Sequence, residues 1–118
     1  AGIVYHANYL KFMERGRTEW LREIGFEQSI LVQSHEVVFV VVALNLNFKN
    51  PARIDQKLVV RTSLSRLGAA SIELNQALVT DDSEIKCSGL VRLGCVNPAS
   101  WRATRIPEEV RGKIYHVD

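Results

Sequence analysis

Ala1-Gly-Ile-Val-Tyr-His-Ala-Asn-Tyr-Leu10 runs without a break into Lys11-Phe-Met-Glu-Arg-Gly-Arg-Thr-Glu-Trp-Leu-Arg-Glu-Ile24, and this stretch decides the fold. Tyr9, Phe12, Met13, Gly16, Trp20, Leu21 and Ile24 recur at three- and four-residue intervals, while Lys11, Glu14, Arg15, Arg17, Thr18, Arg22 and Glu23 fall mostly between them. That spacing predicts one long helix with a single buried stripe. Gly25 follows as a left-handed stop. Gly16 lies on the stripe itself, where it costs roughly 1 kcal/mol against alanine. A helix that must approach a sheet closely has a use for the missing side chain. Ahead of the helix, a glycine turn carries Tyr5, His6 and Asn8 to the place where first-turn N–H groups have no partner and point outward. The chemistry is expected there.

Outward from the helix, Phe26 to Val32 is expected to make a helical turn or two, which Ser34 and His35 break. Glu36 to Phe48 reads E-V-V-F-V-V-V-A-L-N-L-N-F, apolar on both parities. Such a strand is covered on both faces or pairs at a subunit interface. It is too long and too two-sided to stand open in water as an edge. After Pro51 and a connecting loop to Asp55, Leu58, Val60, Thr62 and Leu64 alternate against Lys57, Arg61, Ser63 and Ser65. Gly68 marks a turn. Ile72, Leu74, Gln76 and Leu78 then alternate against Ser71, Glu73, Asn75 and Ala77, and beyond Asp81-Asp-Ser83 the residues Ile85, Cys87, Gly89, Val91, Leu93 and Cys95 alternate against Glu84, Lys86, Ser88 and Arg92. These are three successive strands of a meander. Pro107 to Ile114 is expected to close the chain as a short helix, with proline in its first turn and acids near its positive end.

One long helix, one long strand and a three-stranded meander make an α+β layer, and a single helix cannot hide the doubly apolar 36–48 strand. A homodimer joined through that strand is therefore expected, with a larger assembly, such as a homotetramer, open through the other face of the sheet. At 118 residues the chain is read as a single domain, 1–118. With 15 basic against 13 acidic residues and a formal charge of +2, it does not read as a nucleic-acid binder or a membrane-surface binder. No apolar run approaches the ~18 residues of a membrane span. Cys87 and Cys95 would lie on one face of one strand about 26 Å apart, too far for a disulfide. Two free thiols fit a reducing cytoplasm, and no Cys/His spacing suggests a metal. The chain opens at Ala1 without an initiator methionine, so the natural N-terminus is expected to be longer.

The segment Ala1 to Leu21 resembles the signature of the YbgC and 4-hydroxybenzoyl-CoA thioesterase branch of the hotdog-fold superfamily, and Phe48-Lys-Asn-Pro-Ala-Arg-Ile-Asp55 and the strand order match it as well. The resemblance implies a hotdog domain, a long helix wrapped by an antiparallel sheet, that hydrolyses the thioester of acyl-CoA as a dimer or tetramer. In that family a carboxylate comes from an aspartate in the pattern Asp-x-x-Gly-Ile-Val-Tyr-His, which here would stand two residues before Ala1. The first strand of the fold would also precede Ala1. The expectation is that the chain in hand is cut short of both; the other reading is a molecule inactive as made. No metal and no cofactor is implied.

By position, the backbone N–H of His6 would be the family's polarising donor, aimed with the helix's positive end at the oxyanion that forms on attack. The His6 ring either orients water, carboxylate or thioester, or only caps the first turn. Tyr5 either bonds substrate or packs at the dimer interface beside the site. Asn8 reads equally as an N-cap or a ligand contact, and Gly2 serves the turn. Glu14 lies about 12 Å beyond His6 along the helix axis. It and Glu19 read as solvated or interface charges. Arg53, Lys57, Arg61 and Arg66 form a basic cluster that either meets CoA phosphates from a neighbouring subunit or is an ordinary wet strand face. His35 and His116 receive no role. Two other functions stay open: a non-catalytic acyl-CoA or partner-binding module, and a hotdog hydratase or dehydratase, although the residues after His6 lack the histidine- and proline-rich pattern associated with the latter.

Overall fold

The computed structural model describes residues 6–50 and 56–117, without the side chains of 6–8 and 115–117. The chain runs α1 (His6–Glu23), α2 (Gln28–His35), β1 (Val38–Phe48), β2 (Leu58–Leu67), β3 (Ser71–Thr80), β4 (Ile85–Val96) and α3 (Glu108–Val117). The four strands form one antiparallel sheet in the order β1-β4-β3-β2. This is the α+β layering expected of a hotdog domain: α1 lies on one face of the sheet. Its stripe enters the core as predicted, with Tyr9, Met13, Trp20, Leu21 and Ile24 all buried. Among the described residues, no helix is long and apolar enough to cross a membrane.

The alternation in the strands is what gives the sheet an inner and an outer face. Ile72, Leu74, Val91, Leu93 and Cys95 point inward against Trp20, Leu21 and Ile24, while Leu78 and Cys87 meet Tyr9 and Met13 farther toward the start of α1. The two cysteines thus occupy separate parts of the core, and both are free and buried. α3 shuts the far end, its Val110 and Ile114 fully buried in the larger cluster. Arg111 N–H donates to the carbonyl of Pro107, so the proline stands just before the first helical residue, Glu108, and the helix runs on past Ile114 to Val117.

Two glycines act as anticipated. Gly25 takes φ +95°, and its N–H caps the carbonyl of Arg22. At Gly16 an added Cβ would stand 2.6 Å from Val60 Cγ1 and 3.1 Å from both Gln76 Nε2 and Thr62 Oγ1. No side chain fits between α1 and the sheet at that point.

The start of β1 and the end of α2 differ from expectation. Ser34 and His35 do not break the second helix; they are its last residues. Ser34 Oγ donates to the carbonyl of Ile30 at 2.7 Å, which satisfies the hydroxyl within the helix. Glu36 ends the helix instead, in the left-handed region at φ 55°, so β1 begins at Val38 rather than Glu36. The Gln28 side chain ties the helix to the strand, donating to the carbonyl of Phe39 at 2.8 Å and accepting from its N–H at 3.1 Å. His35 is not idle on the surface either. Its Nε2 lies 3.1 Å from Glu109 Oε2, and its ring meets Phe26 edge-on, joining α2 to α3.

β1 itself is an edge strand of the protomer, bulged between Val41 and Ala43. Val41, Val42 and Leu44 are 45%, 56% and 41% exposed there. A strand with apolar residues on both faces therefore has β4 on one side and, among the described residues, no strand on the other.

Candidate active site

α1 is described from His6 onward, so the backbone donor singled out in the sequence lies at the amino-terminal end of its described span. The first turn holds no acidic residue, and the helix's positive end is not neutralised from within. This end sits over the end of the sheet at which β1 runs out and β2 begins. Tyr9 is 1% exposed and stacks on Phe48 with ring centroids 5.7 Å apart, while Leu78, Cys87, Leu58 and Val60 close the floor. A packed apolar base thus holds Tyr9, near the amino end of α1, against the sheet.

The other proposed contacts divide. Gly2, Tyr5 and Arg53 lie outside the described residues, as do the side chains of His6 and Asn8. Arg61 is placed, and it does not join the α1 end within the protomer. It alternates with the inward residues of β2 and lines a polar depression with Asn45, Asn47, Ser63 and Asn75 on the face of the sheet opposite α1. There its guanidinium donates to Ser83 Oγ at 3.2 Å. The period-2 pattern puts Arg61 on the wet parity, which agrees with the reading of this cluster as a wet strand face. Arg66 stands across from Glu73, again on the outer face.

α1 is flanked by two clefts that the sequence did not reveal. One, of about 590 Å³, opens toward the free edge of β1 between Glu14, Arg17, Arg22 and Glu27 above and Phe39, Val41 and Leu93 below. The second, of about 400 Å³, runs on the β2 side past Phe12, Gly16, Trp20, Val60 and Thr62. Glu14 lines the first cleft and Glu19 the second, where Glu19 pairs with Arg22 at 2.8 Å. Both lie well along α1 from its amino end, as the axial distance predicted.

Under the middle of α1 is a polar cluster. Gln76 on β3 is 2% exposed and bonds to Met13, Thr62 and Arg17. Half-burial holds the Arg17 guanidinium below its usual pKa, and Glu14 opposes the shift. Burial also pushes the Cys87 thiol up and raises Cys95 to about 11, so both thiols are protonated at neutral pH and inert as nucleophiles. Among the described residues, no cluster of three His, Cys, Asp or Glu side chains is placed to hold a metal.

What this geometry offers is a helix amino end beside an apolar floor, suited to a carbonyl on which negative charge develops. Comparison with known proteins agrees with that chemistry. The acyl-CoA thioesterase YbgC of Haemophilus influenzae is 34% identical over 98% of this chain and 85% of its own. A probable thioesterase from Bartonella henselae superposes with a TM-score of 0.82 at 37% identity, covering 90% of this chain and 86% of that one. A gentisyl-coenzyme A thioesterase superposes with a TM-score of 0.82 at 27% identity over 97% of this chain and 88% of its own. The family model described as the thioesterase superfamily matches residues 1–87, and with it the chain belongs to the thioesterase superfamily.

Proposed function

We propose that the protein hydrolyses acyl-CoA thioesters to the free acid and CoA, with the reacting carbonyl held at the amino end of α1. The observation that carries the reading is the amino-terminal part of α1 seated on an apolar floor, with Tyr9 stacked on Phe48 and packed with Leu78 and Cys87. The His6 N–H donates to the carbonyl oxygen, and that bond strengthens as the oxygen becomes anionic. The aspartate that the family pattern places two residues before Ala1 either attacks the carbonyl carbon or takes a proton from the water that does. Collapse of the tetrahedral adduct breaks the C–S bond and releases CoA thiolate, which is then protonated. On the direct route, water hydrolyses the acyl-aspartate that remains.

Around that step, the His6 ring and Tyr5 orient the attacking group and the thioester, Gly2 shapes the turn, and Asn8 and Arg53 contact substrate. Arg61 reaches a CoA phosphate only from a subunit that approaches the outer face. The working unit is a homodimer joined along the open β1 edge, with the polar outer face available for a tetramer, and it acts in the cytoplasm. Support for the dimer comes from the exposure of Val41, Val42 and Leu44 on a strand that, among the described residues, pairs with β4 on one side and with no second strand.

His6→Pro tests the backbone role, because proline is accommodated at the first helical position yet has no N–H. His6→Ala removes the ring and keeps the N–H. Thiol release from short-chain, long-chain and aromatic acyl-CoA, measured on the natural protein, should show His6→Pro slower than His6→Ala by roughly 10²–10³-fold in kcat. Equal kcat for the two variants would remove the His6 amide from the mechanism. Binding of acyl-CoA without thiol release by the unmutated protein would make it a carrier.

A further inference from the structure

We infer that Gln76 is a positioning residue for thioester hydrolysis: it fixes the height and axial setting of α1 above the sheet, and through them the place of the His6 N–H. The inference rests on the reading of the α1 amino end as the carbonyl site.

Gln76 belongs to β3, which is flanked by β2 and β4 and is thus held by hydrogen-bonded neighbours on both sides. Its side chain points inward, between the apolar Leu74 and Leu78 on β3. Burying an amide there is costly unless it is fully bonded. Nε2 donates to the carbonyl of Met13 at 2.9 Å and to Thr62 Oγ1 at 3.0 Å, and Oε1 accepts from Arg17 Nη1 at 2.9 Å. Two of these three bonds end on α1. The approach exists only because residue 16 is glycine, since a Cβ would stand 3.1 Å from Nε2 and 2.6 Å from Val60.

Apolar contacts are not directional and let a helix slide or roll at small cost. A hydrogen bond to a helix carbonyl tolerates only a few tenths of an ångström. Met13 and His6 are seven residues apart on one continuous helix. At 100° per residue they share nearly the same face, with about 10.5 Å between them along the axis. A displacement at Met13 therefore reaches the His6 amide almost undiminished. A misplacement of about 1 Å costs on the order of 10²-fold in rate when the reacting groups must be aligned.

Gln76→Leu and Gln76→Asn remove or shorten the link to Met13. Thr62→Val serves as the comparison, since it strands one amide proton of Gln76 but leaves the Met13 bond in place. With folded dimer or monomer verified by circular dichroism, both Gln76 variants should lose about 10- to 100-fold in kcat with KM within about threefold. Thr62→Val should lower the melting temperature and keep kcat near that of the unmutated protein. A Gln76→Leu or Gln76→Asn protein that melts earlier yet turns over normally would reduce Gln76 to a packing residue and overturn the inference. So would a rise in KM alone. The His6→Pro result separates the two ideas: if that variant is impaired while the Gln76 variants are not, the site stands and only the positioning role falls. If His6→Pro is unimpaired, the site itself falls.

Discussion

Replacing Gly16 by alanine adds one methyl group to α1 and sets two effects against each other. Alanine is the better helix former by about 1 kcal/mol, which favours the variant. Against this, the new Cβ would lie 2.6 Å from Val60 Cγ1. Ordinary carbon contacts begin near 3.5 Å, so α1 must lift by about 1 Å or Val60 must leave its rotamer. Rotation of Val60 does not clear the site, because Gln76 Nε2 and Thr62 Oγ1 are both 3.1 Å away. Overpacking of this kind costs about 1–3 kcal/mol. A lift of about 1 Å also stretches the Gln76 to Met13 bond out of range, leaving a buried amide unsatisfied at a further cost of about 1–3 kcal/mol. Steric and hydrogen-bond losses exceed the propensity gain, for a net destabilisation of about 1–5 kcal/mol. Urea unfolding at fixed protein concentration should show a lower midpoint with an unchanged slope. A midpoint equal to or above that of the unmutated protein would mean that α1 is not held against the sheet as described.

Two further outcomes follow from burial. With Cys95 raised to about 11, its thiol stays protonated at neutral pH, so alkylation of the folded protein should be slow and should quicken only as the pH climbs toward that value. Labelling by mass spectrometry checks this, and rapid modification of Cys95 at pH 7 would contradict its place in the core. Val42 is 56% exposed at the β1 bulge. Val42→Lys puts a charge on the open edge and should shift the assembly toward monomer in size-exclusion chromatography; an unchanged elution volume would place the subunit contact elsewhere.

The long helix was legible because its periodicity, its close-approach glycine and its terminal glycine all agree, and each was found in its predicted place. The meander was legible for the same reason, from period-2 alternation ended by turns. Ser34 and His35 misled because their polarity was weighed and the return bond from Ser34 Oγ to Ile30 was not. Arg61 was grouped with Arg53 by proximity along the chain; its parity faces it away from α1, onto the outer face where the wet-face reading puts it. Gln76 is the instructive omission. It stood in the inward register with Ile72, Leu74 and Leu78, and an amide in an apolar row is a visible signal that something nearby must bond it. What the sequence could not supply was the partner, since Met13 and Gln76 are brought together only by the packing of α1 on β3. The clefts beside α1 are likewise products of that packing and leave no pattern in the chain.

The side chain of Gln28 occupies both main-chain polar groups of Phe39, and these face away from β4 toward open space. It therefore acts as a stopper on the rim of the sheet. A further strand laid along β1 finds no free partner at Phe39 and has to begin beyond it, which leaves Val40 to Phe48 as the usable rail. In the proposed homodimer a glutamine on a neighbouring helix would thus limit where along β1 the second copy could pair.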